Sequence, residues 1–216
     1  MDGLLIDSER NMYAATGMEV SREIGRPLDY DFLTQQMGGS FEAYEIHLKE
    51  RYGDDYPLEE YWKRYWNKVN YMVENVAIPL RPGVLQILEY CKSNNIMMSV
   101  ASSSSRYIIE KCLANSGIAD YFDFTISAQD VSHTKPDPEI FLKAIEHYGV
   151  DKKEALIFED GHNGAKAAFN GGCRLVLVED VAYLSDEDKE YAQMVTDDIS
   201  KVINFIEEEN ERTTRI

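Results

Sequence analysis

The chain has 216 residues, 44% of them apolar, with 39 acidic against 22 basic side chains and a formal net charge of −17. That size and apolar content build one domain, or one domain with a modest insertion. The acidity excludes a surface that grips nucleic-acid phosphates, which needs clustered Lys and Arg. No run approaches the roughly 18 apolar residues of a membrane helix, and Met1 is followed at once by Asp2 instead of a basic and then apolar leader. The expectation is a cytoplasmic protein with no membrane contact, a monomer or weak dimer. Cys91, Cys112 and Cys173 stand far apart in apolar segments without a CxxC pair, as reduced buried thiols do.

In chain order, residues from about Asp7 to Ile78 show no strand pattern and carry many aromatics, among them Tyr44, Tyr52, Tyr61, Trp62, Tyr65 and Trp66. Trp62, Tyr65, Trp66 and Val69 recur at helical spacing and predict one helix face, better read as the interior of a small bundle than as an aromatic ligand box. Ile78-Pro79-Leu80-Arg81-Pro82-Gly83 has the punctuation of a linker. Beyond it, helical patterns over Val84–Asn94, Ser104–Ser116, Pro138–Tyr148 and Asn163–Asn170 alternate with apolar runs over Ile96–Ser102, Phe122–Ala128, Ala155–Asp160 and Arg174–Glu179. This order predicts an α/β fold with a doubly wound, mostly parallel sheet. The core would span 1–10 and 80–216, with residues 11–79 an inserted helical unit. The acidic tail from Glu207 reads as the solvated end of a helix.

Ligands of parallel α/β sheets collect beyond the carboxyl ends of the strands, and three such ends are unusual here. Val100-Ala101 runs into Ser102-Ser103-Ser104-Ser105 at a helix start, where hydroxyls and free N–H groups make an anion site or merely cap the helix. His133-Thr134-Lys135-Pro136-Asp137-Pro138 holds a lysine on a stiffened loop; its ammonium would neutralise phosphate oxygens, unless it is an ordinary surface lysine. Phe158-Glu159-Asp160-Gly161 ends an apolar run in two acids, a donor set that suits Mg²⁺ or a pair of solvated turn acids. His162 has no second histidine at ligand spacing and reads as a solvent-facing loop residue.

The N-terminal segment Met1-Asp2-Gly3-Leu4-Leu5-Ile6-Asp7-Ser8-Glu9 resembles the haloacid dehalogenase signature D-x-D-G-x-x-x-D-[ST]-E, entered at its second position. Ser102, Lys135 in K-P-D-P, and Glu159-Asp160 resemble the second, third and fourth motifs of that superfamily, in family order. The branch it most resembles carries a helical cap after the first motif and holds β-phosphoglucomutase-like proteins and small-metabolite phosphatases.

The resemblance implies a Mg²⁺-dependent phosphatase acting on a small phosphorylated metabolite, a sugar phosphate or a nucleotide, through an aspartyl-phosphate. It makes Asp2 the general acid/base and gives Ser102 and Lys135 to the phosphoryl oxygens, with Gly3 and Ser103 beside them. Glu159 and Asp160 would hold the metal, joined by the backbone carbonyl of Asp2. The nucleophile falls one position before Met1, and the apolar strand that leads into the motif falls there too. The expectation is therefore very little activity for the 216-residue chain, within a longer natural chain or a non-catalytic relative that binds a phosphorylated ligand. The cap histidine and arginine of the mutases would fall near Met12 and near Phe41, after Gly38-Gly39-Ser40. Neither residue can serve, which favours hydrolysis over mutase chemistry.

Overall fold

The computed structural model describes residues 1–37, 39 and 41–214, with side-chain surroundings through residue 210. Gly38 and Ser40, which precede the Phe41 position of the mutase arginine, lie outside the described residues.

After Asp2–Ile6 the chain enters a π-helical segment, Glu9–Ala14, that continues into α1 (Ala15–Glu23). There follow α2 (Tyr30–Gln35), α3 (Phe41–Tyr52) and α4 (Leu58–Asn75). The chain leaves and returns side by side: the Asp7 N–H donates to Pro79 O at 2.8 Å and the Arg81 N–H to Leu5 O at 3.0 Å. The buried stripe of α4 is Tyr61, Tyr65, Val69 and Val73, set by a four-residue repeat. Trp62 and Trp66 fall one position to its side and are half-buried, so the expected face is rotated by part of a turn. The Tyr61 and Tyr44 hydroxyls meet at 2.9 Å inside this bundle. Asn115 Nδ2 donates to Val73 O and Ser116 Oγ to Ile78 O, each at 2.9 Å, tying the bundle to the α/β part.

The second part runs α5 (Val84–Ser93), β1 (Ser99–Ala101), α6 (Arg106–Asn115), β2 (Phe124–Ile126), α7 (Glu139–Tyr148), β3 (Leu156–Glu159), α8 (His162–Asn170), β4 (Arg174–Val178), α9 (Asp186–Glu190), β5 (Met194–Thr196) and α10 (Val202–Thr214). Local chemistry sets the bounds. Ser105 caps α6 by accepting the Ile108 N–H, and Gly149 ends α7 at φ 65°, where a Cβ would be penalised. Gly83, at φ 80°, enters α5 with Asp198 Oδ1 2.0 Å from where a Cβ would stand, so that turn is reserved for glycine.

Among the described residues the ladders between named strands are parallel, as expected, but they form two sheets, β1–β2 and β3–β4–β5, and the isolated Ile6–Leu80 bridge is antiparallel. The first strand is shorter than the apolar run suggested. Ile96 gives its N–H to Cys91 O at the end of α5 and Met97 is exposed, so only Ser99–Ala101 reaches the β2 ladder. β5, three residues with polar flanks, lies below what an apolar run can signal. Cys91 and Cys112 are buried and Cys173 is half-buried, none in a disulfide. Among the described residues no helix is long and apolar enough to cross a membrane.

Candidate active site

The carboxyl ends of β1 and β3 converge with the N-terminal segment. Asp2 is held at both carboxylate oxygens: Ser8 Oγ donates to Oδ1 at 2.9 Å and Ser104 Oγ to Oδ2 at 2.8 Å. Ser102 is buried and its Oγ accepts the Ser104 N–H at 3.1 Å, which fixes the serine turn that carries Ser104 to Asp2. Ser103 is exposed. Of the four serines, one caps the helix and two organise the site, so capping and site-building coexist in one turn.

Lys135 joins the two strand ends. Its Nζ donates to Ala101 O at 3.2 Å and to Glu159 Oε1 at 2.5 Å, and the ion pair is nearly closed to solvent, at 10% and 11% side-chain exposure. The ammonium also stands 4.7 Å from the Phe141 ring centre, a favourable cation–π position. Lys135 is thus no ordinary surface lysine. On the far side of Glu159, a Cβ at Gly164 would stand 2.1 Å from its Oε2, so the first turn of α8 must be glycine to seat the carboxylate.

Asp160 turns the other way. Its Oδ2 lies 2.0 Å from where a Cβ on Gly3 would stand, and Gly3 sits at φ 68°. The peptide there approaches the carboxylate as only glycine can. Asp160, Glu9 and Asp180 bring carboxylate oxygens within 4.8 Å of one another. Glu9 and Asp160 are buried, and Glu9 Oε2 and Asp180 Oδ2 have no hydrogen-bond partner. Burial, then the charges of Asp160, Asp180 and Asp2, push the Glu9 carboxyl up to about 8. Burial, then Glu159, raises Asp160 well above the ordinary carboxylate range. Asp180 is offset by Arg10 at 2.5 Å and Arg81 at 2.9 Å. Crowded, desolvated carboxylates with free lone pairs are what a hard divalent cation relieves.

Asp2, Gly3, Ser102, Lys135, Glu159 and Asp160 thus meet around one point, while Ser103 faces outward. Glu159 is engaged with Lys135 and lies outside the Glu9–Asp160–Asp180 cluster. Sequence reasoning missed Ser104, Glu9 and Asp180. A signal for Asp180 was present: Glu179-Asp180 is a second acid pair closing an apolar run, the same pattern as Glu159-Asp160. His162 is half exposed, and its Nδ1 pairs with Asp188 at 2.8 Å.

The profile of the haloacid dehalogenase-like hydrolases matches residues 1–178. The chain belongs to this family. Among haloacid dehalogenase-like relatives, a Drosophila melanogaster protein with the name "Probable pseudouridine-5'-phosphatase" is 31% identical over 90% of this chain and 85% of its own. The phosphorylated carbohydrates phosphatase of Thermotoga maritima is 30% identical over 80% and 79%. The solved β-phosphoglucomutase of Clostridium difficile superposes with a TM-score of 0.68 at 25% identity, over 100% of this chain and 96% of that one.

Proposed function

We propose that this chain carries the machinery of a Mg²⁺-dependent phosphatase for a small phosphomonoester, a sugar phosphate or nucleotide, working in the cytoplasm as a monomer or weak dimer. The relatives named for phosphatase activity on phosphorylated sugars and nucleosides support the class. The observation that carries the reading is Lys135, whose ammonium sits between the ends of β1 and β3, beside the Ser102 turn and the doubly bonded Asp2. A phosphoryl group there would meet one fixed cation and hydroxyl and N–H donors preset around it.

Asp2, oriented by Ser8 and Ser104, gives its proton to the leaving oxygen and then takes one from water. By the register of the motif the attacking carboxylate falls one position before Met1, and it forms the aspartyl-phosphate that this water breaks. Asp160 and the carbonyl of Asp2 would hold Mg²⁺, joined by the orphaned oxygens of Glu9 and Asp180, while Glu159, committed to Lys135, stands outside that set. Mg²⁺ bound there supplies positive charge that offsets repulsion between carboxylate and phosphate. Hydrolysis is favoured over mutase chemistry because Met12, at the position of the mutase histidine, is fully buried and carries no proton to transfer.

The test is phosphate release from a panel of sugar phosphates and nucleotides with Mg²⁺, comparing the chain as given with one extended upstream by an apolar strand ending in Asp. Activity only in the extended protein is expected. Phosphate binding without turnover in both would favour a non-catalytic binder, and bisphosphate-dependent isomerisation of a sugar phosphate would favour a mutase.

A further inference from the structure

The aromatic side chains of the helical bundle divide into two groups. Tyr61 and Tyr65 are buried with Val69 and Val73, whereas Trp62 and Trp66 are half-buried and Phe41, the first residue of α3, is 53% exposed. These last three rings pack on one another. Phe41 stands 5.1 Å from Trp62 and 5.4 Å from Trp66, centre to centre, and the two indoles lie 22° from parallel at 6.5 Å. Large rings bury where burial is available; here a joined set stays open to solvent, as at a surface that takes a ligand.

This wall adjoins the phosphate site. Lost hydration, then the charge of Asp2 and next Tyr65, hold the Tyr13 hydroxyl well above the usual tyrosine range, which makes Tyr13 a neighbour of both the acid/base carboxylate and Tyr65. The Tyr65 ring in turn meets Trp62 at 5.3 Å and Trp66 at 5.2 Å, edge to face in both. A run of aromatic side chains thus leads from Asp2 to Phe41.

The chemistry of the wall selects its ligand. Trp62 Nε1 donates to Glu45 Oε1 at 2.9 Å, which fixes a carboxylate beside the indole and leaves Oε2 to accept a ligand N–H. Arg64 and Lys68 of α4 are taken up by Glu19, Glu23 and Glu60. A second phosphate would meet π faces and a carboxylate, which repel it. A sugar ring needs a polar partner for each hydroxyl it buries. A planar heterocycle with N–H groups finds both of its requirements here, faces to stack on and an anchored acceptor.

We infer that Phe41, Trp62 and Trp66, with Glu45, form the subsite for the base of a nucleoside monophosphate whose phosphate is held at Lys135. The inference rests on the phosphatase reading for that anchor, and narrows its substrate from sugar phosphate or nucleotide to nucleotide.

Trp62 and Trp66 are the only tryptophans of the chain, so intrinsic fluorescence, excited at the red edge of indole absorption where uracil is transparent, reports on this wall alone. The 216-residue chain is titrated with uridine monophosphate, uridine, ribose phosphate and glucose phosphate. Uridine monophosphate and, more weakly, uridine should quench saturably; the two sugar phosphates should bind, as read by calorimetry, without quenching. Phe41→Leu keeps apolar bulk and loses a π face at an exposed position, so its melting temperature should match the parent's, and it should weaken uridine monophosphate about tenfold more than ribose phosphate. Equal quenching by glucose phosphate would overturn the subsite, as would a Phe41→Leu variant that loses both phosphates alike. Sugar phosphates that bind while uridine and its monophosphate fail to quench would also overturn it, and leave the phosphatase reading standing. Quenching by uridine with no phosphate bound would uphold the base subsite and count against the phosphatase reading.

Discussion

The Ser104 hydroxyl donates to Asp2 Oδ2 at 2.8 Å, linking two residues 102 positions apart in the chain. With Ser8 on the other oxygen, it leaves the Asp2 carboxylate one orientation. Ser104→Ala should lower stability by about 1 kcal/mol, read from urea unfolding. In the upstream-extended protein it should lower kcat more than it raises KM, because Ser104 orients the acid/base and does not grip the phosphate. A change in KM alone would refute that assignment.

Lys135 and Glu159 form a nearly buried pair. Removing one partner strands the other charge, so Lys135→Met should cost about 3–5 kcal/mol. Lys135→Met combined with Glu159→Gln should recover much of that stability without recovering phosphate binding. Thermal melts and phosphate titration separate the two effects; a double variant no more stable than the single one would mean that the pair is not the source.

Glu9 ionises near 8 in the fold against an ordinary 4.5. Between those values the folded state holds a proton that the unfolded state has released, so stability falls as pH rises through that window. The total is on the order of a few kcal/mol. Glu9→Gln should flatten the slope and leave the protein more stable than its parent at pH 8, as measured by melting temperature against pH in metal-free buffer. An unchanged slope would place the buried proton elsewhere.

Mg²⁺ at about 100 times its Kd should stabilise the fold by about 2.7 kcal/mol. Gly3→Ala puts a methyl 2.0 Å from Asp160 Oδ2 at a φ of 68°, which should cost about 1–3 kcal/mol in backbone strain and swing Asp160 out of the cluster. The stabilisation by Mg²⁺ should then disappear. Calorimetric titration of Mg²⁺ into both proteins checks this, and equal affinity would exclude Asp160 as a ligand.

The sequence by itself determined the alternation of helices and apolar runs, the helical segment before Ile78, and the strand ends at Ser102 and Asp160, because periodicity and turn chemistry act over a few residues. It also marked Lys135, since proline and aspartate flank it locally. It did not show that Lys135 clamps both strand ends, that Ser104 reaches Asp2, or that Glu9 and Asp180 crowd Asp160. Those pairings cross tens to a hundred positions and exist only once parallel strands bring their carboxyl ends together. The rotation of the α4 face from Trp62 to Tyr61 has the same cause: several aromatics fit a helical repeat, and only packing against the neighbouring helices selects which of them is buried.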